Sequence, residues 1–130
     1  MTTLALLSTA LLFGGMVLYS FGFAAFLFTA LPAETAGPTI RRAFPHFYLF
    51  VIAGAALSAA FLIPTDPLSA AIMAGIALTT IPTRQILMPA INAATDAGNK
   101  RRFGRLHGLS VGITLIHIVA AAYVLHRFIG

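Results

Sequence analysis

Cysteine and tryptophan are absent from this 130-residue chain, and only three of its residues are acidic. Without cysteine there are no disulfides and no thiolate metal sites. Without tryptophan, any aromatic belt at a membrane interface has to be built from tyrosine and phenylalanine. Charged residues make up 8% of the chain, against roughly 25% in a soluble domain. So few charges cannot cover the surface of a soluble protein this small. The three acids, Glu34, Asp66 and Asp96, fall between the long apolar runs. A carboxylate proton relay inside a membrane therefore has no members. Proton-coupled transport is unsupported, and no convincing triad for hydrolysis is present.

What the chain does have is 59% hydrophobic residues and a mean hydropathy of +0.95. A bilayer crossing needs about 20 apolar residues. Four runs meet that length, at approximately 4–31, 44–63, 67–88 and 103–128. They predict one all-α membrane domain over 1–130, an integral four-helix bundle of antiparallel up-down topology embedded in lipid. The first run carries no charge before Glu34 and has no basic start. It is also longer than the roughly 7–15 apolar residues of a signal-peptide core, which favours a retained helix over a cleaved leader. Pro32–Arg42 reads as a polar turn, with Pro45 in the first turn of the second span, where proline is tolerated. Pro64-Thr65-Asp66-Pro67 reads as a tight turn. Pro82 is expected to kink the third span, and Asp96-Ala97-Gly98-Asn99 to turn the chain into the fourth.

The net charge of +5 invites a nucleic-acid reading, but the basic residues are placed as topology signals. Arg41 and Arg42 follow the first span; Arg84, Lys100, Arg101, Arg102 and Arg105 flank the third connection; Arg127 alone falls on the other side. A split of seven to one predicts both long loops on the cytoplasmic side and both termini on the other face of a cell inner membrane. No nucleic-acid partner is expected.

The fourth run holds the most informative pattern. A helix turns by about 100° per residue. On that wheel His107, Thr114, Ser110 and His117 fall in that angular order within a quarter-turn. Gly104, Gly108 and Gly112 fall within another quarter-turn, on the far side of His107 from His117. One helix thus carries a polar stripe beside a glycine stripe. Small residues four apart let another helix approach closely, either within the chain, in a homo-oligomer or in a partner membrane protein. Imidazoles inside a membrane are expensive and want partners. With antiparallel spans, His46, His107 and Arg84 come to one membrane surface. His117 lies about 15 Å deeper, at the level of Tyr19, Ser20, Thr79 and Thr80.

Each of these has a structural reading. His46 is a polar residue beside a loop, Arg84 snorkels to the headgroups, and His126 is interfacial. His107 bonds to a neighbouring backbone, and His117 bonds to Tyr19 or a threonine. The chemical reading is a ligand site on His107, His117, His46, Arg84, Ser110 and Thr114. Neutral imidazole is the commonest metal ligand, and two histidines on different helices suit haem iron or copper. The site would then handle a metal ion, haem or lipophilic cation, without catalysis. The competing class is a structural or accessory subunit docked through the glycine stripe.

The segment Phe103-Gly104-Arg105-Leu106-His107-Gly108-Leu109-Ser110 resembles the signature of the transmembrane protein 205-like family, a domain of unknown function. Phe13-Gly14-Gly15-Met16, Phe44-Pro45-His46-Phe47-Tyr48 and Arg84–Asp96 with Pro89 and Asn92 are similar to further segments of it. The resemblance implies a four-helix integral membrane protein. More distantly it is similar to copper-resistance D-type bundles, which adds to the expectation of metal or haem.

Overall fold

Proline and short polar turns divide the chain into four rods. The computed structural model describes residues 2–130. The helices are α1 (Thr2–Ala30), α2 (Ala33–Leu62), α3 (Pro67–Asp96) and α4 (Lys100–Ile129), each long and apolar enough to cross a membrane. No strand occurs among the described residues. At 1.5 Å per residue such rods are about 45 Å long, so their ends reach past a hydrocarbon core of about 30 Å.

Two of the three turns are capped by side chains. Asp66 accepts from the Ser69 N–H at 3.3 Å, with Pro67 opening α3. An N-cap carboxylate satisfies a donor left free at the helix start, and proline at the first helical position sacrifices no bond. Asn99 accepts from the Arg102 N–H at 3.1 Å, and Gly98 takes the left-handed φ of +68° that the turn requires.

The rods pack in an antiparallel ring, α1 against α2, α2 against α3, α3 against α4 and α4 against α1; α2 and α4 lie diagonally opposite. Leu12, Met16, Phe47, Val51, Leu62, Met73 and Val124 fill the centre. Small residues set the α1–α2 approach. The Phe50 ring lies where a Gly15 side chain would be, with 2.5 Å between Cζ and an added Cβ, and Leu12 sits 3.3 Å from one added at Gly54. Ser58 donates to Ser8 at 3.0 Å across the same seam. Leu7, Leu11, Leu18, Phe26, Leu78, Ile116 and Val119 are each at least 60% exposed on the outside. Water would not tolerate so much contiguous apolar surface; acyl chains would. The chain is a multi-pass membrane protein with an all-α four-helix bundle.

One local expectation is corrected. Pro32–Arg42 is not a turn: α2 begins at Ala33 and runs through Pro38 and Pro45. Pro32 caps the helix, Glu34 sits favourably in its first turn, and neighbouring rods serve the backbone around Pro45. Tyr19 Oη donates to the Ala43 carbonyl at 2.8 Å, and Arg84 Nε to the Pro45 carbonyl at 3.2 Å. The α2 extension is also tied by Arg41 to Asp96 at the far end of α3, at 2.7 Å. A separate finding concerns pitch. Pro82 is followed by a π-helical turn, Thr83–Leu87, and α1 carries an unforeseen one at Leu18–Phe23. The first follows from the missing proline N–H. The second holds Tyr19, whose ring stacks on Phe47 with centroids 5.0 Å apart.

Candidate functional site

His117 is the one histidine the bundle buries; its exposure is 8%. It stands ten residues from Arg127 and twelve from Arg105 on α4, about 15–18 Å from either, close to mid-membrane. Its Nε2 lies 2.8 Å from Thr79 Oγ1 on α3. Thr79 Oγ1 in turn donates to the Gly75 carbonyl at 2.7 Å, one turn back along its own helix.

Two spaces meet at this imidazole. Inside the bundle, a cavity of about 10 Å³ is lined by Met16, Phe47, Tyr48, Val51, Thr80, Thr83, Ile113, Thr114 and His117. That is room for about one water molecule. On the lipid side, a groove of about 330 Å³ separates α3 from α4, lined by Ile72, Gly75, Ile76, Thr79, Ile113, Ile116, His117 and Ala120. That volume lies within the range of small-molecule sites, which are mostly apolar with a few placed polar groups.

Of the other candidate residues, Thr114 shares the inner cavity with His117 and the rest lie elsewhere. His46 and His107 are both exposed, on the diagonal pair of helices, and His107 stacks on Phe103 of its own helix at 5.2 Å. Arg84 is half-buried and engaged with Pro45 and with Gln85 Oε1, the latter at 2.7 Å. Ser110 is buried and donates to the His107 carbonyl at 2.7 Å. Thr114 lines the inner cavity. His126 is exposed. Added side-chain carbons at Gly104, Gly108 and Gly112 would meet nothing within 4 Å, so among the described residues nothing packs closely on the glycine stripe. Among the described residues, no three His, Asp or Glu side chains converge as a metal cage. His46 and His107 are exposed on diagonal helices and His117 is buried, so the three rings do not share one site.

Residues 7–100 match the family described as Domain of unknown function (DUF4149). The chain belongs to that family. No curated protein and no solved structure matches it. The DUF4149 match spans α1, α2 and α3 and ends as α4 begins. Thr79, Thr83, Arg84 and His46 therefore lie within the matched segment, and His107, His117 and the glycines beyond it. In this DUF4149 chain the polar pair joins one residue from each part.

Sequence reasoning placed Thr79 and Thr80 at the depth of His117 without choosing between them. Thr79 lies on the groove side, whereas the Thr80 hydroxyl is buried and donates to the Ile76 carbonyl at 2.7 Å. It missed Tyr48, which borders the inner cavity; the signal was a tyrosine seven residues inside the charged Arg41. It also missed the pairing of Asp66 with Arg127, whose Nε lies 2.9 Å from Asp66 Oδ2. Both are the lone charges at their end of the bundle, which was the available clue.

Proposed function

We propose that this chain is a membrane binding protein for a small lipophilic molecule, held in the α3–α4 groove with the His117–Thr79 pair as its polar anchor. The carrying observation is the coincidence of an apolar groove of about 330 Å³ with the one buried imidazole. Handling of a metal ion, haem or lipophilic cation through His46, His107 and His117 together is the weaker form of this reading. The three rings are dispersed, and the groove walls offer a cation neither an acid nor a Phe, Tyr or Trp ring. The likeness to the transmembrane protein 205-like family belongs to the same proposal and carries no substrate. So does the orientation in a cell inner membrane with both termini away from the cytoplasm, which rests on the placement of Lys and Arg.

The test is extraction of organic molecules from protein purified in lipid nanodiscs, with metal analysis and a visible spectrum alongside. A lipophilic compound near one per chain, lost in a folded His117→Leu variant, is the expected result. A Soret band or stoichiometric metal that depends on His107 would overturn it in favour of haem or metal. A second reading, an accessory subunit docked on α4, is favoured by the open glycine face. It requires Gly108→Leu to break an assembly seen with the unaltered protein.

A further inference from the structure

The groove presents lone pairs and no free donor. Thr79 Oγ1 has one proton and two close neighbours, the Gly75 carbonyl oxygen at 2.7 Å and His117 Nε2 at 2.8 Å, with the Ile76 carbonyl oxygen further off at 3.3 Å. Two acceptor atoms do not sit at such distances without a proton between them. Only one assignment places a proton in both gaps. The Thr79 hydroxyl donates to the Gly75 carbonyl, and His117 Nε2–H donates to Thr79 Oγ1. The ring is neutral, because the nearest elements bring no carboxylate to mid-membrane: Glu34, Asp66 and Asp96 all lie at helix ends or in a turn. Both side-chain protons of the pair are then consumed internally.

What remains is a second lone pair on Thr79 Oγ1 and the lone pair of His117 Nδ1. The chain His117→Thr79→Gly75 polarises in one direction, so Thr79 Oγ1 becomes a better acceptor by donating. The other groove side chains are isoleucine and alanine, which bring no hydrogen-bonding group.

We infer that the ligand of this groove is a lipophilic hydrogen-bond donor, a phenol, hydroquinol or alcohol, and not a molecule whose polar groups are acceptors alone. This rests on the groove being the binding site, as proposed above. An acyl chain or an ether can fill the space but leaves the lone pairs unanswered, whereas a hydroxyl adds a third link to the existing chain.

The experiment uses a diazirine-bearing alkylphenol and its O-methyl ether as photolabels on the full chain in lipid nanodiscs, with peptide mapping of the labelled residues. The phenol is expected to label α3 and α4 around Ile72 and Ile116 at about tenfold lower concentration than the ether, the value of one well-made hydrogen bond in a dry site. In the Thr79→Val, His117→Leu double variant the two probes should label alike. Equal labelling in the unaltered protein, or preference for the ether, overturns the donor assignment and leaves the groove as a site. A preference that survives in the double variant overturns the assignment to this pair. Labelling that avoids the groove with both probes overturns the site and the inference together. Should the double variant not fold, the comparison of the two probes on the unaltered protein decides alone.

Discussion

The two ends of the bundle are each tied by an arginine–aspartate pair, and the pairs differ in everything but chemistry. At one end Arg127 meets Asp66 through two contacts of 2.9 Å. Ser69 joins through its hydroxyl to both partners, and the guanidinium lies 5.8 Å over the Tyr123 ring. The side chains are 32% and 25% exposed. At the other end Arg41 meets Asp96 at 2.7 and 3.0 Å, with exposures of 43% and 60% and no third partner. The first pair also involves a helix cap, so it fixes three things at once: the α2–α3 turn, the start of α3 and the end of α4. An exposed pair contributes little because water and salt screen it. A shared and sheltered one is felt because removing one partner strands the other. α4 is thus pinned at its Arg127 end, while among the described residues nothing packs closely on its glycine face further along.

The largest expected effect breaks the pinned end. Asp66→Asn or Arg127→Ala should lower the melting temperature in nanodiscs several times more than Arg41→Ala does. The double variant Asp66→Asn, Arg127→Ala should be no worse than the worse single one, since the two groups act as one unit. If Arg41→Ala costs as much, shelter and sharing are not what separates the ends.

A smaller effect appears on acidification. The Arg127 guanidinium, then the Ser69 hydroxyl, hold the Asp66 carboxyl well below its ordinary value of 3.8. A depressed carboxylate adds stability that is complete above the unfolded value and is lost as pH falls toward the folded one. Melting temperature should therefore hold down to about pH 4 and decline below it, and Asp66→Asn should remove that part of the decline. Stability that rises as pH falls below about 4 and depends on Asp66 would contradict the sign, and a decline that sets in between about pH 7 and 5 would contradict the window.

The smallest effect is expected on the open face. Gly108→Ala adds a methyl that meets nothing and improves helix propensity by up to about 1 kcal/mol. The monomer should be unchanged or slightly more stable by thermal melting. A marked loss would mean that another helix rests there, which is the accessory-subunit reading.

Much of the bundle was legible because lipid exposure requires long apolar runs and polar turns, and both are visible in composition. Asp66-Pro67 and Gly98-Asn99 announced two turns through their chemistry. The angular order along α4 was also readable. Which way the stripe turned was not. Ser110 and His117, at the edge of the polar stripe away from the glycines, are buried with Ala121 and Val124. His107, at the edge nearer the glycines, is exposed. The glycines themselves fall on the far side of the rod. A helical wheel orders residues around a helix but has no origin; the origin comes from neighbours. Proline misled in α2, where Pro32–Arg42 read as a turn and is helical from Ala33 on. The reach of Tyr19 and Arg84 to the α2 backbone is a long-range fact that no local window contains.

The π turns carry one more consequence. Five residues rather than four separate donor from acceptor where Met88 N–H meets the Thr83 carbonyl, so angular counting slips at each such turn. Were ordinary pitch restored within Leu18–Phe23 with no residue removed, the Thr2–Val17 rod would swivel by about 100° against the rest. Ala5, Leu12 and Met16 would be carried toward the acyl chains and Leu11 toward the centre. Deleting one residue there would instead let ordinary pitch return with the faces kept. Within this stretch, the pitch of one turn by itself determines which residues meet oil and which meet protein.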